Sequence, residues 1–185
     1  MDCVQFMIIF IDYTVNNRGF FMYELGKFEE RFGNRINIRV ANVADSEDIF
    51  ASQNIAFPTD PSNLSVSEIR DFIGHEEHTF IVGHFEGKFA GYVATHSKKY
   101  YPWMNGNSLV VADAYAGKGM GAFLLREAII SCRKLVIRIF VEKNNFRAIR
   151  LYKKFGFFCV QKIPRHYENG DDALVMLKWT FHVNN

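Results

Sequence analysis

The chain has 185 residues, 49% of them hydrophobic, and its 22 basic and 20 acidic side chains leave a net charge of +2. That length supplies one domain with a substantial core rather than two, and the near balance of charge gives no field that would make nucleic acid or an anionic membrane an obligate partner. Cys3, Cys132 and Cys159 are odd in number, widely spaced and without a C-x-x-C pair, which argues against a disulfide framework or a structural zinc site and for a reducing compartment, the cytoplasm.

Residues 1–34 form an N-terminal extension of undefined role, with the folded domain expected over 35–185. The apolar run CVQFMIIFI at 3–11 is too short to cross a bilayer and lacks the basic start and cleavage site of a secretory signal. A packed or dimer-forming strand, or an extension upstream of a start near Met22, is preferred over a segment touching a membrane. Ile36, Ile38 and Val40 then alternate with Asn37 and Arg39, the period of a half-buried strand. Asp45 is placed to cap a helix running to about Gln53, with Asp48 in its first turn and IAFP at 55–58 breaking it. Ser65 and Glu68 make a capping box for a short second helix that turns Val66, Ile69, Phe72 and Ile73 inward.

Apolar runs at 79–82 and 89–94 flank Glu86-Gly87, the signature of an antiparallel hairpin. Residues 100–106 (YYPWMNG) read as an aromatic loop, a lid over the core in preference to a pocket wall built by Tyr101 and Trp103. An apolar strand at 108–112 runs into DAYAGKGMGA at 113–122 and a helical run at 123–130. A strand that ends in alternate glycines and turns at once into a helix leaves several N–H groups unpaired at the positive end of a dipole, which is an anion cradle. No Lys-Ser or Lys-Thr follows Gly121, which argues against a nucleoside triphosphate loop. Gly117-x-Gly119-x-x-Ala122 fits the dinucleotide fingerprint, with Glu142 as ribose acid, but only 43 residues follow Glu142, too few for the units that such a sheet requires. Residues 134–141 (KLVIRIFV) read as a strand parallel to 108–112 through a helical crossover. A helix from about Asn144 to Gly156 and strands at 157–163 and 173–179, around a loop at 164–172, complete the chain.

The stretch NFRAIRLYKKFGF at 145–157 adds a second motif. With the glycine loop before it, the chain resembles the GNAT superfamily of acetyl-CoA-dependent N-acetyltransferases, whose pyrophosphate loop reads Q/R-x-x-G-x-G/A and whose next helix reads N-x-x-A-x-x-x-Y-x-x-x-G-F. The resemblance covers roughly residues 36–180 and has one departure in the loop, Ala116 where the family carries Gln or Arg. It implies an α/β (α+β) fold with a mixed central sheet of six to seven strands, a splayed parallel pair within it and about four flanking helices. The two helices at 45–53 and 65–73 would wall the acceptor site.

The resemblance also implies the chemistry. Acetyl-CoA is the co-substrate and no metal is required. Its diphosphate would rest on the amides of Gly117, Lys118, Gly119, Met120, Gly121 and Ala122, with the Lys118 ammonium adding charge, and its pantetheine arm along the backbone of Leu109, Val110 and Val111. An N–H near Val111 would meet the oxyanion. Tyr152 would stand near the sulfur; a phenol near pKa 10 beside a thiol near 8.5 acts as a donor that protonates the thiolate. Asn145 is a cofactor contact, a helix N-cap, or both. YENGDDALVM at 167–176 looks like the ending of the branch that acetylates protein N-termini, including that of a ribosomal protein. That branch often carries a catalytic Glu at what is Phe140 here, so Glu142 and His166 are the substitute candidates for the general base. The expected reaction is direct attack of a primary amine, preferably a protein or peptide amine, on the thioester. A polyamine or aminoglycoside acceptor, a non-catalytic acyl-CoA sensor and a homodimer stay open.

Overall fold

The computed structural model describes residues 35–180; the readings of 1–34, including the run at 3–11 and Cys3, lie outside the described residues. Strands run over β1 (Ile36–Val40), β2 (His78–Phe85), β3 (Lys88–His96), β4 (Trp103–Val111), β5 (Val136–Glu142), β6 (Phe158–Ile163) and β7 (Ala173–Trp179). Helices occupy α1 (Ser46–Ala56), α2 (Val66–Phe72), α3 (Met120–Ser131) and α4 (Phe146–Lys154). The strands form one sheet in the order β1-β2-β3-β4-β5-β7-β6, antiparallel throughout except for β4 and β5. This is the mixed sheet with one parallel pair and four helices that the resemblance implies.

Local chemistry explains most of the elements. In the β2–β3 hairpin Phe85 opposes Lys88 across Glu86 (φ 51°) and Gly87 (φ 79°), the two left-handed residues that a twist-matched two-residue turn demands. The Glu86 N–H donates to the Arg35 carbonyl (2.7 Å), tying the turn to the start of β1. Ser65 accepts from the Glu68 N–H, and the Glu68 carboxylate accepts from the Ser65 N–H, so the expected capping box opens α2.

Asp45 departs from expectation. It precedes α1, but its carboxylate makes no capping bond there. It accepts two bonds of 2.7 Å from the Arg39 guanidinium and one from the Asn42 N–H, because a bidentate charged donor outbids a helix amide. Burial pushes the Asp45 carboxyl up, yet Arg39 and Asn42 outweigh it and hold the group below the usual carboxylate value.

Alternation along the strands sorts side chains to two faces. Phe80, Val82, Tyr92, Ala94 and Val110 pack with Ile49 of α1 and Ile69 of α2 on one face. Ile81, Phe85, Ala90 and Val93 pack with Met120, Leu124 and Ala128 of α3 on the other. The second core continues under α4, where Ile137, Ile139, Val141 and Met176 meet Leu125, Cys132, Phe155 and Phe157. A Cβ on Gly83 would lie 2.5 Å from the Met120 sulfur, so glycine there lets the first turn of α3 lie against β2.

Two further expectations need correction. Ile36 and Ile38 pack against the α3 core, but Val40 is 67% exposed, since β1 is the edge strand and ends there. Residues 100–106 are not a loop throughout: β4 begins at Trp103 and pairs with β5 from that residue on. Gly106 sits within the pairing because Ile139 crosses it closely; an added Cβ would be 2.8 Å from Ile139 Cγ2.

Candidate active site

The parallel pair closes only at one end. Trp103, Met104, Asn105 and Gly106 are in register with Val136, Ile137, Arg138 and Ile139. Above Gly106, β4 continues to Val111 held by β3, with Leu109, Val110 and Val111 opposite Val93, Tyr92 and Gly91. Likewise β5 continues to Glu142 held by β7, with Phe140 opposite Val175 and Glu142 opposite Ala173. The two strands have parted. The parallel neighbour expected for residues 108–112 is therefore found at residues 103–106, on the lower half of β4.

The ladder shows which groups the opening leaves free. The Ala112 N–H donates to the Ala90 carbonyl (3.0 Å). Because consecutive residues of a strand turn their polar groups to opposite edges, Ala112 and Val110 address β3, while the N–H and C=O of Leu109 and Val111 point to the side that β5 has left. Val110 itself is buried in the core below α1 and α2.

The glycine loop closes the upper end. After a short turn at Asp113–Tyr115, Gly117 (φ 76°) and Gly119 (φ 79°) both take left-handed backbone, and Gly119 is the N-cap of α3. The helix begins at Met120, three residues before the expected helical run. The N–H groups of Ala116, Lys118, Ala122 and Phe123 donate within the loop and first turn. Those of Gly117, Gly119, Met120 and Gly121 have no acceptor among the described residues, so a set of donors faces outward at a helix N-terminus. A diphosphate fits such a cradle. The Lys118 ammonium lies over the rings of Phe85 (5.2 Å) and Tyr115 (5.3 Å). A Cβ built on Gly121 would lie 3.4 Å from Val111 and 3.7 Å from Leu151, so the cradle, the tip of β4 and α4 converge.

Tyr152, on α4 beside Leu151, packs against the α3–α4 core with its ring 5.6 Å from Phe157. Burial, with Tyr167 nearby, pushes its phenol up to about 12, so it remains a proton-bearing donor over the whole physiological range. Asn145 caps α4, its Oδ1 accepting from the Ala148 N–H (3.0 Å).

Glu142 is the last residue of β5, not one beyond the strand. It lies within electrostatic reach of Tyr167, whose phenol burial pushes up to about 12, with the carboxylates of Glu142 and Asp60 adding to the shift. Asp60 belongs to the α1–α2 connection and Tyr167 to the β6–β7 connection, so these two loops come within electrostatic reach of each other. Phe140 stacks on His166 (5.4 Å, 12° between planes), and His166 meets the Tyr167 ring edge-on at 5.1 Å. The β6–β7 loop is tied down by Asp172, which pairs with Lys162 (2.8 Å) and accepts from the Arg165 N–H.

Asp60 and Tyr167 have no role that the sequence assigns, although Tyr167 heads the YENGDDALVM stretch; Phe140 and His166 are singled out there one by one, but not as a stacked pair. Among the described residues no group of three or more His, Cys, Asp or Glu side chains is placed to hold a metal, and no helix is long and apolar enough to cross a membrane.

Comparison with known proteins agrees with this architecture. An N-alpha-acetyltransferase of Sulfurisphaera tokodaii is 26% identical over 163 residues, covering 80% of this chain and 95% of that protein. The spermine/spermidine N(1)-acetyltransferase of Bacillus subtilis is 31% identical over 86 residues, covering 40% of this chain and 55% of its own. The fold of yncA from Salmonella typhimurium, described as an acetyltransferase and solved with its cofactor acetyl-CoA, superposes with a TM-score of 0.70 at 22% identity over 81% of this chain and 97% of that one. Residues 46–157, which run from α1 past the glycine loop to just beyond α4, match the Acetyltransferase (GNAT) family, and the chain belongs to that family of N-acetyltransferases.

Proposed function

We propose that this chain transfers an acetyl group from acetyl-CoA to a primary amine, with a protein or peptide amine as the preferred acceptor, by direct attack on the thioester. The observation that carries the reading is the opening above Gly106, which leaves the Leu109 and Val111 polar groups free beside an outward-facing amide cradle. Bound acetyl-CoA supplies the activated acetyl thioester; the rest is done by the chain. The amides from Gly117 to Ala122 take the diphosphate, with Lys118 adding positive field. The free edge of β4 at Leu109 to Val111 orders the arm, and the Val111 N–H donates to the carbonyl oxygen as negative charge builds there. Tyr152 gives a proton to the departing sulfur. Asn145 starts α4 and thereby sets the position of Tyr152.

The proton lost by the amine goes to Glu142 or to His166. Either sits where the acceptor would enter, between the α1–α2 and β6–β7 loops. An α-amine near pKa 7.8 is already about a tenth neutral at pH 7, whereas a lysine amine near 10.4 is almost wholly charged, so an α-amine makes the smaller demand on that base. The unpaired thiols of Cys132 and Cys159 agree with action in the cytoplasm.

A second acceptor class has its own support, since the polyamine acetyltransferase of Bacillus subtilis is among the relatives. Release of free CoA thiol with a panel of peptides, lysine side chains and polyamines tests the reading. Turnover highest on peptide N-termini is the expected result. Turnover on spermidine alone would replace the acceptor. Tight binding of acetyl-CoA with no turnover on any amine would leave an acyl-CoA sensor, a role that Phe140 and Ala116 at two of the family's functional positions would suit.

A further inference from the structure

One row of side chains crosses the sheet on the face that carries α1 and α2: His78, His96, Asn105, Arg138 and Leu177 are successive register partners. The first part of the row is stacked shut, Phe72 of α2 on His78 (4.1 Å) and His78 on His96 (4.6 Å). Beyond it a cavity of about 580 Å³ opens, lined by His96, Lys98, Tyr101, Trp103, Asn105 and Arg138.

The Arg138 guanidinium in this cavity is held in place. Its Nε donates to Asn105 Oδ1 (2.9 Å), and its carbon lies 5.2 Å from the Trp103 ring and 5.3 Å from the Phe140 ring. That engages one N–H of five; the two Nη groups have no acceptor among the described residues. Lys98 adds a second, exposed cation on a loop fixed by Lys134 Nζ, which donates to the Lys98 and Lys99 carbonyls at 2.7 and 3.0 Å. The nearby carboxylate of Glu77 is engaged by His96 (3.6 Å) and the Lys99 N–H, with Lys98 also within its electrostatic reach. The charge in the cavity with no carboxylate beside it is the Arg138 guanidinium.

The cavity lies on the face of β5 that leads up to the opening above Gly106. Phe140, which stacks on Arg138, is the next residue of β5 on the same face, and Glu142 follows it. At a rise of about 3.3 Å per residue, Arg138 lies roughly 7 Å below Phe140 and roughly 13 Å below Glu142, a span of two to four residues of extended chain.

We propose that this cavity is an acid-selective subsite of the acceptor groove, in which the paired Nη groups of Arg138, with Lys98 beside them, receive the carboxylate of an Asp or Glu within the first four residues of a peptide acceptor. The inference rests on the peptide-acceptor reading above. A fixed guanidinium fork between two rings fits a planar carboxylate in two-point fashion, and Arg138 is the one basic residue within β5.

The test separates binding from turnover. Peptides already acetylated at the N-terminus, carrying Glu or Gln at positions two to four, are titrated by calorimetry into the full chain. The Glu peptides should bind about tenfold more tightly, a single charge-assisted contact. In Arg138→Gln the ratio should fall to about one, and in the exposed Lys98→Gln to a few-fold. Equal affinities for Glu and Gln peptides in the wild type, or a Glu preference that survives Arg138→Gln in a variant whose circular dichroism is unchanged, would overturn the proposal. Acetylation of the free-amine peptides is measured separately. A Glu preference in binding with no turnover would sink the transferase reading and support the subsite.

Discussion

Between Trp103 and Gly106, β4 is in register with β5; at Leu109 to Val111 it has β3 on one edge and open space on the other. The lower end is sealed by parallel hydrogen bonds and by Ile139 lying over Gly106. At the upper end the same two strands are kept apart, each supported from its outer side, β4 by β3 and β5 by β7. The closed end is thus a fulcrum, and the open end is a site whose unsatisfied main-chain groups await a partner. An N–H left dry and unpaired would cost about 1–3 kcal/mol, but Leu109 and Val111 are only partly buried, so water satisfies them until something else does.

The largest effect should come from the open end. Tyr152→Phe removes only a hydroxyl, and as a proton donor that hydroxyl is worth about 10²-fold or more in turnover. We expect kcat to fall by that amount while the dissociation constant for acetyl-CoA, measured by calorimetry, changes less than about twofold. If both stay at wild-type values, Tyr152 is a core residue and the open end lacks the donor assigned to it. Its titration gives a second reading of the same site. Tyr152 and Tyr167 are both pushed up to about 12, whereas an unfolded tyrosine titrates near 10. The folded state holds these protons more tightly, so the stability they contribute is complete below about pH 10 and is lost as pH climbs toward 12. Denaturant melts across that window should show Tyr152→Phe losing less stability than the wild type.

At the closed end the expectation reverses. Gly106→Ala places a Cβ 2.8 Å from Ile139 Cγ2, an overpacking that costs about 1–3 kcal/mol in chemical denaturation. Affinity for acetyl-CoA should stay within about threefold, because the amide cradle is on another element. A variant of normal stability would show that the fulcrum yields, and the contrast between the two ends would lose its physical basis.

The parts of this arrangement that were legible beforehand are local ones. The Ser65–Glu68 box, the Glu86-Gly87 turn and the glycine loop announce themselves because each needs particular side chains at fixed spacing. The start of β4 does not, since Asn105 and Gly106, close behind Pro102, resemble loop residues, and only the parallel neighbour, brought in by the α3 crossover, makes them strand. The opening itself is an absence of pairing and has no residue signature. The bond Asp45 makes is not legible from its own neighbours, because its partner Arg39 sits on the preceding strand and competes with the helix amides for the carboxylate. The approach of Asp60 to Tyr167 joins residues more than a hundred positions apart, through loops whose course depends on the finished sheet.

The smallest effects test whether glycine in the cradle serves backbone or space. Gly119 caps α3 at φ 79°, a conformation that costs a residue with a Cβ about 1–2 kcal/mol. Gly119→Ala should therefore destabilise by that amount and weaken acetyl-CoA binding severalfold, as the N–H groups around it turn away from their common direction. Gly121 is different: it lies inside the first turn, and an added Cβ would meet Val111 at 3.4 Å and Leu151 at 3.7 Å, ordinary contact distances. The methyl group would add helix propensity of up to about 1 kcal/mol and touch no unpaired N–H. Gly121→Ala should match or slightly exceed the wild type in thermal unfolding and bind acetyl-CoA within about twofold. Loss of binding in Gly121→Ala with stability retained would mean that the ligand lies against the Gly121 Cα itself, deeper between β4 and α4 than a diphosphate resting on outward amides requires.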